Sequence, residues 1–190
     1  MQSLYHEGLE YNKKNFAADP LPDGNFENCK FVSSEFQNGS IAQRVFVDCT
    51  FKGCNLSLVK VLNTSFRDVI FEECKILGVD FNSCNPYGCA FEFKDCKLDN
   101  SNFFKLNLIK IRFHNCSLKE VDFSNCNLSS ASFHHCDLSG AIFNHSNLEK
   151  SDFTTSSGYV IDPEINKIKK AKFSLPGIKG LLEKYDIIIK

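Results

Sequence analysis

A large apolar residue occurs at nearly every fifth position between Phe16 and Phe153, a period that fits neither an α-helix nor a flat β-strand. The pattern keeps one register as far as Phe81, shifts by two residues, and resumes at Phe93. Short repeated units cannot each bury a core alone, so they must stack on their neighbours. The five-residue period therefore predicts a solenoid.

Each five-residue unit has the order small, polar, Phe or Leu, polar, polar, as in residues 126–130 and 136–140. We expect the small and the large residue to face inward and the other three to face solvent. After residue 93, Phe and Leu alternate, so four units per coil place Phe on two opposite walls and Leu on the other two. Three units per coil would mix them on every wall. The large residues assigned to the core ladder include Phe113, Phe123, Phe133, Leu128 and Leu138.

All ten cysteines lie two positions before a register position, in the inward column for small residues. Free cysteine is often a small buried apolar residue, so packing is favoured over redox chemistry. Twenty-residue spacing would place successive members about 4.8 Å apart, within reach of a disulfide, although a ladder of thiols needs none. Ten thiols favour a reducing compartment, and the absence of a tight CxxC pair disfavours zinc. The cysteines assigned to the core ladder are Cys29, Cys49, Cys54, Cys74, Cys96, Cys116 and Cys136.

The five-residue pattern is similar to that of the pentapeptide-repeat family. Membership implies an all-β solenoid, a right-handed quadrilateral β-helix, which at four units per coil has about seven coils here. We expect residues 1–15 to cap the first coil and residues 16–158 to form the β-helix. Residues 159–190 are expected to form a C-terminal module that caps the last coil and dimerises.

The C-terminal module has the pattern of a short helix over 174–185, with Ser174 as N-cap and Pro176 in the first turn. A terminal strand is expected over 186–190. Three consecutive isoleucines cannot all face the last coil, and an exposed apolar edge would aggregate unless it were paired. A homodimer is therefore predicted, with a capped monomer as the alternative. The interface residues assigned to it are Leu175, Ile178, Leu181, Leu182, Ile187, Ile188 and Ile189.

Two positions depart from the repeat. In segment 84–93, Pro86 occupies an expected core position, which predicts a bulge or a bend in the solenoid more strongly than a binding loop. Arg44 lies in the small inward column, where an unpaired guanidinium would be costly to bury. We expect its side chain to turn outward.

The sequence contains no motif of a known catalytic site, and a core filled with Phe and Leu leaves no room for a substrate. His114 and His134 are twenty residues apart and are expected to stack near 5 Å on one wall. A polar ladder is favoured over a catalytic or metal pair, because no carboxylate is placed to orient them. We therefore expect a protein that is not an enzyme and that has no catalytic residue, metal or cofactor.

The N-terminus lacks the basic and apolar regions of a signal peptide, and no apolar stretch reaches the length of a membrane helix. A cytoplasmic protein without membrane contact or direct nucleic-acid binding is expected. The function favoured by the sequence is that of a rigid protein-interaction scaffold.

The alternative function comes from resemblance to the bacterial quinolone-resistance members of the family. The interruption at 85–88 and the Asp162-Pro163 pair before the C-terminal helix resemble those proteins. This resemblance implies a homodimer whose rod imitates DNA and binds DNA gyrase or topoisomerase IV. Duplex DNA of about 33 Å would carry roughly 20 negative charges. Residues 1–158 hold 19 acids and 15 bases, a net charge of only −4, so the scaffold is favoured over the mimic.

Overall fold

The computed structural model describes residues 4–87 and 89–189, so Met1–Ser3, Gly88 and Lys190 lie outside the described part. The chain winds as a four-walled solenoid in which all strand pairing is parallel. Wall 1 begins with a four-stranded sheet of β1 (Tyr5–Glu7), β3 (Asn25–Glu27), β5 (Val45–Val47) and β7 (Ser65–Arg67). Wall 2 is a seven-stranded sheet of β2 (Glu10–Asn12), β4 (Lys30–Val32), β6 (Thr50–Lys52), β8 (Val69–Glu72), β9 (Phe91–Lys94), β10 (Arg112–His114) and β11 (Ser132–His134).

The other two walls, and the second half of wall 1, are ladders of single β-bridges. Wall 3 has eight rungs between Asn15 and Ser157, and wall 4 contains the rungs from Asp80 to Ile142. Each rung of wall 3 lies one coil above the previous one, so its eight rungs span seven coils. This agrees with the predicted β-helix of about seven coils. A 3₁₀ turn at Phe81–Ser83 lies on wall 4.

The register of wall 2 shows the two-residue shift seen in the sequence. Phe51 pairs with Phe71 at a spacing of twenty, whereas Phe71 pairs with Phe93 at a spacing of twenty-two. The two extra residues form a bulge on wall 1 between Asn85 and Ala90. Its ends are held by hydrogen bonds from the Asn85 N–H to Thr64 O (2.9 Å) and from the Ala90 N–H to Phe66 O (3.0 Å). Pro86 and Tyr87 are therefore exposed rather than inserted into the core.

The core consists of aromatic columns that follow the predicted alternation. Phe113 and Phe133 stack on wall 2 with ring centroids 5.3 Å apart, and Phe123 and Phe143 stack on wall 4 at 5.3 Å. Phe113 also meets Phe123 edge-on across the interior, at 5.8 Å and 72°. Stacked and edge-to-face rings are both favourable. Each Phe is thus held by rings above, below and beside it.

Residues at the corner between walls 1 and 2 adopt left-handed backbone angles, with φ of 52° at Asp48, 53° at Asp68, 61° at Lys110 and 61° at Lys150. A positive φ turns the chain sharply, and it places these side chains on the outside of the rod. The corner is consequently a column of exposed side chains one coil apart.

The segment expected to cap the first coil forms a coil of its own over its described residues. Strands β1 and β2 lie in register on β3 and β4. His6 stacks on Phe26 at 4.6 Å, and Tyr11 stacks on Phe31 at 5.0 Å, so both rings occupy core positions. Their coil is the first layer of the stack over the described part of this segment.

The C-terminal helix forms where it was expected, but the terminal strand does not. Helix α1 (Lys179–Leu182) is flanked by 3₁₀ turns at Pro176–Ile178 and Glu183–Tyr185. The Ser174 hydroxyl accepts a hydrogen bond from the Gly177 N–H (3.1 Å), as an N-cap would. Ile187–Ile189 have no regular secondary structure. A strand requires a partner strand, and the last coil pairs instead with the helix through the bond from Ile161 N–H to Gly180 O (2.9 Å).

The expectation that Arg44 turns outward is wrong. Its side chain is only 13% exposed, and the guanidinium donates hydrogen bonds to the carbonyls of Leu21 (2.6 Å), Ala42 (2.7 Å) and Pro22 (3.1 Å). Asp23 adds an ion pair at 2.9 Å. The guanidinium joins the first two coils at a proline-containing segment that cannot donate a full set of backbone hydrogen bonds.

Candidate interaction surfaces

The interior of the solenoid is filled by side chains, and the concave features are shallow clefts on the outside. The core ladder residues Phe113, Phe123, Phe133, Leu128 and Leu138 are all fully buried. A cleft of about 300 Å³ lies beside the bulge, between Asp68, Phe91 and Lys110. This volume is at the lower limit for small-molecule sites. The surfaces offered to a partner are therefore mainly the walls and the two ends.

The cysteines line the core as free thiols. All are buried except Cys89, which is half-buried beside the bulge. Buried thiols donate to the carbonyl 23 residues earlier, as in the hydrogen bonds from Cys74 to Phe51 O (3.2 Å) and from Cys126 to Phe103 O (2.8 Å). The seven cysteines assigned to the core ladder are all buried: Cys29, Cys49, Cys54, Cys74, Cys96, Cys116 and Cys136.

The native protein should react slowly with thiol reagents. Burial raises the pKa of Cys49 to about 11 and that of Cys126 to about 12, so these two thiols hold almost no reactive thiolate at neutral pH. Hydrogen bonds with neighbouring thiols lower the pKa of Cys54, Cys96 and Cys136, and burial in the core keeps reagents away from these three. Titration with a chromogenic disulfide should label at most Cys89 before denaturant is added, and all ten cysteines afterwards. The variant Cys89→Ser identifies that one thiol. Rapid labelling of three or more thiols in the native protein would contradict the buried ladder.

A group of histidines lies on the outer face of wall 2. The rings of His114 and His134 stack with centroids 5.0 Å apart, near the expected distance, and the ring of His135 lies 4.2 Å from that of His134. The Thr155 hydroxyl is 3.2 Å from His134 Nδ1. Across residues 4–87 and 89–189, no group of three or more His, Cys, Asp or Glu side chains could hold a metal ion. The involvement of His135 and Thr155 was not predicted, since it depends on the shape of the corner.

Acids and bases alternate along wall 2. Lys52 pairs with Glu72 at 3.0 Å, and Lys172 pairs with Asp152 at 3.1 Å. Although partial burial opposes its charge, hydrogen bonds from Arg112 and Lys94 hold the pKa of Glu92 below its ordinary value. Wall 2 is thus a patchwork of neutralised pairs rather than a continuous acidic surface.

The C-terminal helix lies flat on the last coil because two glycines let it approach Tyr159. A Cβ atom at Gly180 would lie 2.0 Å from Tyr159 O, and one at Gly177 would lie 1.8 Å from the Tyr159 hydroxyl oxygen. Lys184 closes the contact with ion pairs to Asp162 (2.6 Å) and Glu164 (2.7 Å). The helix therefore covers one open end of the core.

The apolar residues assigned to a dimer interface differ in their placement. Leu181 packs against the core, and Leu182 is half-buried. Leu175 and Ile188 are 85% and 86% exposed. Ile178, Ile187 and Ile189 are also exposed. The end of the rod thus presents an apolar surface that this single chain leaves open to solvent.

No helix in the described ranges is both long and apolar enough to cross a membrane.

The sequence model of the protein family described as a pentapeptide repeat region matches residues 21–92 and 89–158. Pentapeptide repeat protein QnrB4 from Escherichia coli is 26% identical over 121 residues, covering 62% of this chain and 53% of QnrB4. The match thus spans about half the length of that curated relative.

Full-length QnrB1, a plasmid-mediated fluoroquinolone resistance protein, has a similar structure. The TM-score is 0.55 at 18% sequence identity, with 96% of this chain and 100% of the QnrB1 chain covered. At that identity the likeness establishes a shared fold. The repeat period, the four-walled parallel solenoid and the match of the repeat model to most of the sequence show that this chain belongs to the pentapeptide repeat family.

Proposed function

We propose that this chain is a rigid, non-enzymatic scaffold that binds a protein partner through its outer surfaces. The filled core is the observation that carries the proposal, because it leaves flat walls and shallow clefts as the places where a partner can bind. Flat, pre-formed surfaces bind other proteins with little loss of conformational entropy. A cytoplasmic location is part of the proposal, and the ten free thiols support it.

The distribution of charge supports a docking surface over a DNA mimic. A mimic of duplex DNA needs unpaired negative charge at high density along the rod. On wall 2, Glu72, Glu92 and Asp152 each form an ion pair with a neighbouring lysine or arginine. Pairing of this kind lowers the negative potential that a DNA-binding enzyme would recognise.

Binding to DNA gyrase or topoisomerase IV is the second candidate function. The similarity to QnrB4 in sequence and to fluoroquinolone-resistance protein QnrB1 in structure supports it. Supercoiling by purified gyrase, with and without a fluoroquinolone, separates the two candidates. Under the scaffold proposal, adding the chain leaves both reactions unchanged. Protection from the drug, or inhibition of supercoiling, would replace the general scaffold with a topoisomerase partner.

Site-specific photocrosslinking in cells tests the scaffold itself. A photoreactive amino acid at an exposed position of one wall, such as Leu62 on wall 4 or Arg112 on wall 2, should give a discrete crosslinked protein from the wall that binds the partner. The buried position Phe123 is the matched control and should give no intermolecular product. Absence of any discrete product from all four walls and both ends would contradict the proposal.

We also propose that the chain forms a homodimer through its C-terminal end, where Leu175 and Ile188 are exposed. Burying this surface removes apolar area from water, and a symmetric patch closes after two copies. Light scattering at micromolar concentration in about 1 M salt, where charge-dependent contacts are screened, should give the mass of a dimer for the full-length chain. The double variant Leu175→Asp, Ile188→Asp should be a monomer in the same high salt. Leu62→Asp, an exposed leucine on wall 4, is the control and should remain dimeric; a monomeric full-length chain would refute the contact.

A further inference from the structure

The corner between walls 1 and 2, together with the adjacent column of wall 1, forms one continuous edge of the rod, which we call the bipolar edge. It consists of the residue pairs 7–8, 27–28, 47–48, 67–68, 89–90, 109–110, 129–130, 149–150 and 169–170. Backbone hydrogen bonds join successive pairs within each half of the edge, for example from Asp48 N–H to Arg67 O (2.9 Å) and from Lys150 N–H to Lys169 O (3.0 Å). At about 4.8 Å per rung, the edge is about 38 Å long.

Charge is separated along the bipolar edge. The N-terminal half has a net charge of −3, because it carries four acids and one base: Glu7, Glu27, Asp48, Asp68 and Arg67. The C-terminal half has a net charge of +3, because it carries four lysines and one acid: Lys110, Lys150, Lys169, Lys170 and Glu149. Among the described residues, none of these ten forms an ion pair within 4.0 Å. The charges on the edge are therefore unpaired, whereas several of those on wall 2 are neutralised in ion pairs.

The two halves are complementary when one rod is turned end over end. A twofold axis through the middle rung, 89–90, relates the two copies. It places each rung of one copy opposite a rung of the other copy that lies equally far from the axis but in the other half of the edge. Glu7 then faces Lys169 of a second copy, and Asp68 faces Lys110. Asp48 faces Ser130, one rung from Lys150. The one like-charged pairing, Glu27 with Glu149, has Lys150 beside it on the same rung.

The centre of the edge is apolar. Ile109 is 49% exposed beside the cleft, and Ala90 and half-buried Cys89 form part of the cleft wall. Tyr87 protrudes from the bulge nearby with 83% of its surface exposed. An apolar centre with charged ends is the arrangement found in specific protein interfaces, where an aromatic residue often supplies much of the affinity.

We infer that a second copy of this chain docks antiparallel on the bipolar edge. The contact is isologous, so each acidic half meets a basic half and the pair closes on itself. This inference goes beyond the scaffold function and does not depend on it. It also differs physically from the C-terminal contact. Charge attraction weakens with salt, whereas burial of apolar residues does not depend on charge screening.

Charge reversal with exchange of partners tests the inference. The full-length variant Leu175→Asp, Ile188→Asp serves as the parent, because it lacks the proposed C-terminal contact. In this parent, one form carries Glu7→Lys and Asp68→Lys, and the other carries Lys110→Glu and Lys169→Glu. All four positions are exposed, so the fold should persist. Sedimentation in about 0.1 M salt, where charges act over about 10 Å, reports the association of each form.

We expect the parent to self-associate in about 0.1 M salt and to dissociate in about 1 M salt, where the screening length is about 3 Å. Each reversed form alone should be a monomer, because two like-charged edges now face each other. An equimolar mixture of the two reversed forms should associate again, since one edge then has seven bases and three acids, a net charge of +4, and the other has seven acids and three bases, a net charge of −4. A monomeric parent, or a mixture that fails to associate, would overturn the inference.

The matched control changes net charge by the same amount on other surfaces. In the same parent, Asp19→Lys and Glu120→Lys remove two exposed acids that lie outside the bipolar edge. This form should associate like the parent. If it is a monomer, the change in overall charge rather than its position explains the result, and the assignment to this edge is wrong.

Discussion

Replacing Phe123 with aspartate should abolish the folded state of the entire solenoid. The Phe123 ring is fully buried, with Phe103 and Phe143 stacked at 5.3 Å on either side. Burial of a lone carboxylate costs several kcal/mol, and the lost ring contacts add about 3–5 kcal/mol. A domain of this size is stable by only about 5–15 kcal/mol. Each coil depends on its neighbours, so the loss at one coil spreads to those above and below.

Circular dichroism and thermal unfolding measure this effect. Phe123→Asp should show no cooperative transition, while Leu62→Asp, which adds the same charge at an exposed position, should melt close to the wild-type temperature. The milder variant Phe123→Leu should fold but melt at a lower temperature, because it keeps an apolar side chain with fewer contacts. An unchanged cooperative transition in Phe123→Asp would contradict the core assignment.

The repeat predicted the walls because one physical constraint acts on every unit. Each inward position must fill the same space, so the alternation of Phe and Leu after residue 93 is visible in the sequence and appears as alternating walls in the structure. Arg44 was misassigned because its partners are backbone carbonyls, which the identity of neighbouring residues does not reveal. Its burial is possible only because the local chain, including Pro22, turns carbonyls towards it.

The two ends were harder to predict for a related reason. Ile187–Ile189 have the composition of a strand, but a strand exists only where a partner is available, and the sequence does not show whether the last coil offers one.

The bipolar edge was also hard to predict from the sequence, because it brings Glu7 and Lys170 into one surface although they are far apart in the chain. That relationship depends on the two-residue shift at the bulge, which sets how the rungs of the two halves align.

Replacing Gly180 with alanine should detach the C-terminal helix from the last coil. The added Cβ would lie 2.0 Å from Tyr159 O, and a backbone oxygen cannot swing away as a flexible side chain can. The helix must therefore move, which lengthens the hydrogen bond from the Ile161 N–H to Gly180 O, now 2.9 Å. Overpacking at such a contact costs about 1–3 kcal/mol. The rest of the solenoid should remain folded, because its coils do not depend on residues 176–185 for pairing.

Hydrogen exchange at the Ile161 amide reports this detachment directly. A loss of about 1–3 kcal/mol corresponds to roughly 5- to 150-fold faster exchange at that amide, at about 1.4 kcal/mol per tenfold change. Lys179→Ala changes an exposed residue of the same helix without a clash and is the matched control. It should leave the exchange rate close to wild type. Wild-type exchange at Ile161 in Gly180→Ala would show that the helix does not depend on close approach at this glycine.

Because the exposed Leu175 and Ile188 are presented by the same docked segment, Gly180→Ala should also weaken the proposed C-terminal dimer.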